Sequence, residues 1–264
     1  MAKSEGTAEG NRSFVKKGPV REMTMEAAAM RFVAENTSIP CPKVFDCCDL
    51  GDGTGSITME YAEGELLAKV WRHLTQDQKI SVARQISKFL DELRSIQHPF
   101  SGRICSADDG PFYDEMLCWA DGRLFGPFAT EAELNDWRMR LYSPFVQRHP
   151  PTAETLAAIR CRMRDDHPIV FTHGDIHRKN IFVRRDGEHA TVSALIDWGQ
   201  SGWRPLHWET MKFLFLAPSV NDAKYDWGRV GWEHICPGFK VEASIEGELM
   251  SISGVVPSCP KDEE

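Results

Sequence analysis

The sequence predicts an α+β fold with a small N-terminal part and a larger, mainly helical C-terminal part. Three observations support this: strand-like runs with one helix come first, amphipathic helices with capping signals follow, and a short β-hairpin interrupts them. A chain of 264 residues is long enough to bury a sizeable core. Its length fits one large domain or two small ones.

The N-terminal part is predicted to contain three strands and one helix. Residues 1–12 are small and polar, so we expect a flexible tail there. The predicted strands are 13–16, 43–48 and 56–61, and the predicted helix is 26–35. The segment 49–55 is rich in Gly and Asp, and it precedes a strand rather than a helix. A hairpin turn is therefore a better interpretation than a phosphate-binding loop.

Capping residues and apolar periodicity predict the helices of the larger part. They extend over 75–98, 130–142, 152–166 and 206–217. Three short strands interrupt them, at 169–172, 181–184 and 192–196. An Asp-Gly pair at 186–187 predicts that the last two of these strands form a hairpin.

Composition excludes several classes of function. With 31 Lys and Arg against 39 Asp and Glu the net charge is −8, which argues against a nucleic-acid partner. No apolar run approaches the ~20 residues of a membrane span, and no secretory signal is apparent, so we expect a cytoplasmic protein without a membrane partner. The eight cysteines form no CxxC pair, which predicts reduced thiols. The sequence gives no indication of the oligomeric state.

The motif with the most chemical content is HGDIHRKN at 173–180, which is followed by IDW at 196–198. Asp175 follows a predicted strand, Asn180 begins the next one, and Asp197 ends the partner strand of the hairpin. Two carboxylates and an amide form a hard-oxygen site of the kind that Mg²⁺ prefers. Phosphoryl transfer requires such a metal site and a carboxylate that accepts the proton of the substrate hydroxyl.

These motifs resemble the aminoglycoside phosphotransferase (APH) family of the protein-kinase-like fold. The segments GWRP at 202–205 and WE at 208–209 are similar to the fungal APH-like branch, and GPFYD at 110–114 and GPF at 126–128 also match that group. The resemblance covers residues 14 to 227. It implies two lobes: a nucleotide-binding lobe over 13–62 and a helical catalytic and substrate lobe over 63–264.

The resemblance also implies roles for single residues of the larger lobe. Asp175 would be the catalytic base, and Asn180 and Asp197 would be the Mg²⁺ ligands. His173 would brace the catalytic loop.

In the smaller lobe, the resemblance implies that Lys16 contacts the nucleotide phosphates and that Glu26 holds it. We choose Lys16 over Lys17 because neighbouring residues of a strand face opposite sides. The segment around Met59 would bind the adenine. Met59 would lie behind the base, and the Glu60 carbonyl and the Ala62 amide would bind its edge.

One departure from the family concerns the start of the chain. The family places two strands and a nucleotide-covering loop before the lysine strand, whereas only fifteen residues precede Lys16 here. We therefore expect a shortened N-terminal lobe, with the lid missing or supplied by the tail through Gly6 and Gly10. A missing lid would weaken triphosphate binding and water exclusion.

The leading hypothesis is an ATP- and Mg²⁺-dependent phosphotransferase that acts on a hydroxyl group of a small molecule. The alternative is a nucleotide-binding pseudokinase or scaffold without turnover. A zinc hydrolase at His173 and His177 is disfavoured because no third ligand lies nearby in the sequence. The acidic residues Asp222, Asp226 and Glu233 would suit a cationic acceptor, although a solvated acidic face is the simpler interpretation.

Overall fold

The computed structural model of the protein describes residues 12–118, 124–141, 152–216 and 226–253. Residues 1–11 of the predicted tail, with Gly6 and Gly10, lie outside the described residues, as does Asp222. The predicted helix ends at Tyr142 and Ala217 lie outside them too.

The strands form three small antiparallel sheets. Their bounds are β1 (Ser13–Pro19), β2 (Val44–Asp49), β3 (Thr54–Glu60), β4 (Glu65–Leu66), β5 (Ile169–Thr172), β6 (Ile181–Asp186), β7 (His189–Leu195) and β8 (Gly202–Pro205). The first sheet has the strand order β1-β3-β2, the second β4-β6-β7, and the third pairs β5 with β8. The mixed α+β architecture predicted from the sequence is confirmed.

Most of the described helices belong to the larger part. Their bounds are α1 (Val20–Asn36), α2 (Leu67–Val70), α3 (Gln76–Ser95), α4 (Glu115–Cys118), α5 (Glu131–Leu141), α6 (Ala153–Arg160), α7 (Trp208–Leu216), α8 (Trp227–His234) and α9 (Lys240–Ser253). Thr75 and Gln78 form both hydrogen bonds of the predicted capping box of α3. Thr152 caps α6, as predicted.

The two largest errors in the predicted helix boundaries concern α1 and α6. Helix α1 begins at Val20, six residues before the predicted start, because Pro19 ends β1 and leads straight into the first turn. Helix α6 ends at Arg160 instead of Asp166, because Arg162 and Met163 donate to carbonyls three residues back and close a turn.

Six of the described helices and strands were not predicted at all: β4, β8, α2, α4, α8 and α9. Strand β8 is buried at all four positions, so it lacks the alternation of polar and apolar residues that marks a strand in the sequence. Its pairing with β5 becomes visible only in the fold.

The turn at 49–55 is a hairpin turn, as predicted. Gly51 and Gly53 have positive φ, and the Asp49 and Asp52 carboxylates accept hydrogen bonds from backbone amides two residues on. The turn also accepts a hydrogen bond from the amide of Val20 at 2.9 Å, so it lies over the start of α1.

One hydrophobic core joins the two parts of the molecule. It contains side chains of α1 and β3 together with those of α3, β5 and β8. Phe32 of α1 packs on Phe171 with ring centroids 5.0 Å apart, and on Trp203 at 5.9 Å. Helix α1 is therefore packed directly against β8 and against β5, the strand that leads into the HGD motif. Every described helix is too short or too polar to cross a bilayer.

Candidate active site

Three charged residues from distant parts of the chain meet beside the first sheet. The Lys16 ammonium lies 2.9 Å from a carboxylate oxygen of Asp197 and 2.7 Å from one of Glu26. Lys16 comes from the middle of β1, Glu26 from α1, and Asp197 from the end of the β6–β7 hairpin. Lys17 is exposed on the other side of the strand. The structure therefore brings Lys16 into contact with Glu26, the partner expected from the resemblance. It also brings Lys16 into contact with Asp197, which was expected as a metal ligand.

The two carboxylates of this network stabilise the protonated form of Lys16. Burial by itself lowers the pKa of Lys16, but the charges and hydrogen bonds of Glu26 and Asp197 outweigh it and raise the pKa. Glu26 is 3% exposed, whereas the Asp197 side chain is 45% exposed and the Lys16 side chain 30%. The buried carboxylate anchors the lysine, and the other two groups stay accessible from the cleft.

A pocket of about 340 Å³ opens next to this network. The predicted adenine-binding residues Met59, Glu60 and Ala62 line it, and so do Lys16 and Asp197. Its remaining lining is mostly apolar, from Phe14, Pro42, Tyr61, Phe182 and Ile196. A flat aromatic base fits such a pocket, and the phosphates attached to it would lie toward the lysine.

Asp175 and Asn180 form the other part of the site. The side-chain amide nitrogen of Asn180 donates to the Asp175 carboxylate at 2.6 Å and to the Asp175 carbonyl at 3.1 Å. These bonds hold the carboxylate in one orientation and leave the Asn180 side-chain oxygen for another partner.

The surroundings of the Asp175 carboxyl group favour its neutral, protonated form. Burial raises its pKa to about 7, Lys212 and Asn180 act in the opposite direction, and the charges of Asp197 and Glu115 raise it further. A carboxylate with a pKa near the working pH is suited to accept and release a proton.

The predicted bracing role of His173 is consistent with its contacts. Its Nδ1 accepts a hydrogen bond from the Asp175 amide at 3.1 Å, and its Nε2 lies 3.2 Å from the carbonyl of Ile196. Burial lowers the pKa of His173 to about 4, so the ring is neutral near pH 7. One imidazole thus connects the loop before Asp175 to the residue before Asp197.

Glu209, whose carboxylate binds the backbone of this loop, was not predicted from the sequence as a site residue. Glu209 of α7 accepts hydrogen bonds from the backbone amides of His173, at 2.7 Å, and Gly174, at 3.1 Å. Gly174 has a φ of +76°, and a Cβ there would lie 2.6 Å from the carbonyl oxygen of Gln200. Only glycine fits this position, which explains the central residue of the HGD motif.

A second buried network, also missed, lies beside the loop. Lys212 has no solvent exposure and donates to Asp114 at 2.9 Å and to Gln200 at 2.6 Å. The signal in the sequence was a Glu and a Lys, three residues apart, inside the otherwise apolar helix α7. Charged residues inside an apolar helix are costly to bury, so each requires a partner.

Several other candidate residues are occupied elsewhere. Asp226 forms an ion pair with Lys79 at 3.1 Å, and Glu233 forms one with Arg229 at 3.2 Å. His173 and His177 both accept hydrogen bonds from backbone amides of their own loop. Among the described residues, neither histidine belongs to a cluster of three potential metal ligands.

The residues present fit a magnesium ion. Asp197 offers a partly exposed carboxylate, and Asn180 offers an amide oxygen whose nitrogen is already fixed by Asp175. A small number of oxygen donors, here one partly exposed and one buried, is typical of protein Mg²⁺ sites that share the ion with phosphates.

Comparison with known proteins places this geometry in context. The family model described as "Phosphotransferase enzyme family" (APH) matches residues 7–236. The GDP and kanamycin complex of APH(2")-IIIa is 14% identical, with a TM-score of 0.58 over 95% of this chain and 82% of that one. The streptomycin-ATP-APH(2")-IIa ternary complex is 16% identical, with a TM-score of 0.57 over 94% of this chain and 80% of that one.

A third similar structure is ADP-bound APH(2'')-Ib, which is 14% identical, with a TM-score of 0.56 over 100% of this chain and 88% of that one. At these identities the structures show the shared kinase-like fold, and the family model covers most of the chain. The chain belongs to the APH phosphotransferase enzyme family.

Proposed function

We propose that the protein transfers the γ-phosphoryl group of ATP, bound as its Mg²⁺ complex, to a hydroxyl group of a small molecule. The observation that carries the proposal is the bonded set of Lys16, Glu26 and Asp197 at one pocket, with the Asp175–Asn180 pair in the segment that leads into the β6–β7 hairpin. Phosphoryl transfer is catalysed mainly by positioning and by stabilisation of negative charge, and these groups supply both.

In this proposal residues 13–62 bind the nucleotide and residues 63–264 carry the catalytic loop and the acceptor site. Lys16, held by Glu26, binds the phosphate oxygens in place of its present contact with Asp197. Asp197 and Asn180 hold Mg²⁺, which neutralises phosphate charge when it is bound. The apolar pocket around Met59 takes the adenine, and the backbone at Glu60 and Ala62 binds its edge.

Asp175 acts on the acceptor. It accepts the proton of the hydroxyl group while the hydroxyl oxygen forms its bond to the γ-phosphorus and the bond from that phosphorus to the β,γ-bridging oxygen breaks. The products are the phosphate ester and ADP. The pKa of about 7 suits this role, because about half of the molecules carry the ionised group at pH 7 and that carboxylate is basic enough to take a proton.

The acceptor side of the site carries the acidic residue Glu115. Its charge raises the pKa of Asp175, whereas the buried Lys212, already bonded to Asp114, lowers it. A negative field favours a cationic acceptor. Similar structures are described as complexes with kanamycin and streptomycin, so aminoglycosides belong in the first set of compounds, together with amino alcohols and neutral sugars.

The test is an ATP-consumption assay of the full chain with Mg²⁺ over this panel, together with thermal unfolding with and without Mg·ATP. We expect Mg·ATP to raise the melting temperature and at least one hydroxyl compound to be phosphorylated, as checked by mass spectrometry. Asp175→Asn is the matched control, because it keeps the shape of the side chain and removes the base.

Stabilisation by Mg·ATP without a phosphorylated product for any compound class would favour a nucleotide-binding pseudokinase. If Mg·ATP does not change the melting temperature and no ATP is consumed, the proposal is wrong.

A further inference from the structure

Outside the cleft, the structure holds a second group of potential metal ligands. Glu131 is the first residue of α5, His167 lies just before β5, and His207 lies just before α7. All three are buried, and one ligand atom of each lies within 4.8 Å of the others. Within the described part of the chain, no other group of three or more His, Cys, Asp or Glu side chains is close enough to share an ion.

The distances suit a small tetrahedral ion. The Glu131 Oε1 atom lies 2.8 Å from Nδ1 of His167 and 3.8 Å from Nδ1 of His207. Ligand atoms about 2.1 Å from a tetrahedral Zn²⁺ lie about 3.4 Å from one another, and the two observed distances fall on either side of that value. The shorter distance is that of the hydrogen bond between His167 and Glu131, which zinc would replace. The two imidazole rings are close as well, with centroids 4.4 Å apart.

The surroundings already orient two of the three ligands. The amide of His167 donates to the second oxygen of Glu131 at 2.8 Å, which fixes the carboxylate. On the far side of the His167 ring, Nε2 lies 3.2 Å from a carboxylate oxygen of Glu242. A metal-binding histidine commonly donates its other ring nitrogen to a carboxylate in this way.

The third side chain points independently to a missing partner. His207 is 6% exposed, and its Nδ1 atom is buried without a hydrogen bond. Its 3.8 Å separation from Glu131 Oε1 is too long for a hydrogen bond and short enough for two ligands of one ion. Buried nitrogen atoms without a partner are rare in folded proteins, so this one needs an explanation.

The charged groups around the cluster are compatible with a bound divalent cation. The two nearby arginines are already paired, Arg138 with Glu246 and Arg164 with Asp166. Glu131 and Glu242 then supply two negative charges beside two imidazoles. A cavity of about 20 Å³ lined by both histidines and Glu242 is large enough for one water molecule, the usual fourth ligand when a protein supplies three.

We propose that Glu131, His167 and His207 bind a structural Zn²⁺ ion, with Glu242 as the outer partner of His167. Two nitrogen ligands and one carboxylate favour zinc over magnesium, which prefers oxygen alone. The ion would join the start of α5 to the segments that lead into β5 and α7. Since β5 leads to His173 and α7 carries Glu209, zinc would stabilise the support of the catalytic loop without contact with the nucleotide.

The experiment uses the full chain, stripped with a chelator and kept in excess MgCl₂ so that the oxygen site of the cleft is occupied. ZnCl₂ is added, unbound metal is removed by gel filtration, and retained zinc is measured by mass spectrometry. We expect one zinc per chain. We also expect a rise in melting temperature of about 5–10 °C with zinc at about 100 times its dissociation constant.

His207→Gln removes one ligand and keeps a polar side chain of similar length. It should lose the zinc and the thermal shift, whereas His189→Gln, at an exposed histidine of β7, should keep both. Circular dichroism of the metal-free variants verifies folding, and the wild-type titration stands even if His207→Gln is unstable. Co²⁺ in place of Zn²⁺ should give the visible absorption of a tetrahedral site.

The proposal is overturned if the stripped wild-type chain retains no zinc. It is also overturned if His207→Gln retains as much zinc as the wild type, which would place the ion elsewhere, for example on cysteines. Both results are independent of phosphotransfer, so neither depends on the function proposed above.

Discussion

The two sides of the cleft hold their charged residues in different ways. On the proposed nucleotide side, Lys16 and Asp197 remain partly exposed, and only Glu26 is buried. On the side of the catalytic loop, Glu209 and Lys212 are completely or almost completely buried and bonded to backbone or side-chain groups. The accessible set is free to exchange its partners for a ligand, whereas the buried set fixes the position of Asp175 before any ligand arrives.

This contrast predicts that changes on the accessible side alter binding and turnover, while changes on the buried side alter stability as well. Asp175 lies between the two, since Glu209 supports the residues before it and Asp197 is close enough for its charge to raise the pKa of Asp175. The variants below test that division, from the largest expected effect to the smallest.

Asp175→Asn should lower kcat by ~10²–10⁴, because the base is lost while its shape is kept. The raised pKa of Asp175 means that its charge is unfavourable in the folded state above the ordinary pKa of a carboxyl group. The variant should therefore be at least as stable as the wild type near pH 8, and it should still bind Mg·ATP. Undiminished turnover would remove Asp175 from the mechanism.

Lys16→Met should lower kcat/KM for ATP by ~10²–10³, the usual effect of removing one group that stabilises transition-state charge. The thermal stabilisation by Mg·ATP should shrink with it. Lys17→Met is the matched control, since Lys17 is the exposed neighbour on the same strand. Equal losses in the two variants would show that the effect is a general one of basic charge on β1.

Glu209→Gln should destabilise the fold by about 1–3 kcal/mol, because one of the two oxygens that accept hydrogen bonds from the loop amides becomes an NH₂ group that cannot accept. Burial raises the pKa of Glu209, so removal of its charge offsets part of this loss. Urea unfolding measures this change. Turnover should fall while KM for ATP stays near the wild-type value, since the nucleotide side is untouched. Glu233→Gln, in an exposed ion pair, should leave stability within about 0.5 kcal/mol. Unchanged stability of Glu209→Gln would contradict the prediction that changes on the buried side alter stability.

Acidification should weaken the fold through His173. Its pKa is about 4 in the folded chain and near 6.5 in the unfolded chain, so lowering the pH protonates the unfolded state first and favours it. Stability conferred by the neutral ring is complete above about pH 6.5 and falls as the pH drops toward about 4, a loss of about 2 kcal/mol by about pH 5.

The measurement is the difference in unfolding free energy between the wild type and His173→Gln at several pH values. That difference should narrow as the pH falls, because the variant lacks the titrating ring. His189→Gln, at an exposed site, should show the slope of the wild type. A difference that stays constant from about pH 7.5 to about pH 5 would contradict a buried, neutral His173.

Local patterns were sufficient for much of the fold and for the candidate motifs. The capping box at Thr75 and the hairpin turn at 49–55 depend on residues a few positions apart, and both were predicted correctly. The start of α1 was missed because Pro19 allows the helix to follow β1 without a loop. Strand β8 was missed because a short, wholly buried strand has no periodicity of its own.

The sequence by itself determined the motif residues and the α+β architecture, whereas the pairing of Lys16 with Glu26 came only from the family resemblance. The tertiary structure alone decided what supports them. Glu209 reaches His173 across 36 residues, Lys212 reaches Asp114 across 98, and Lys16 reaches Asp197 across 181. Glu131, His167 and His207 are likewise far apart in the sequence and close together in the fold. Local propensity and periodicity cannot specify which buried charges will meet, because those contacts arise only when separate elements pack into one core.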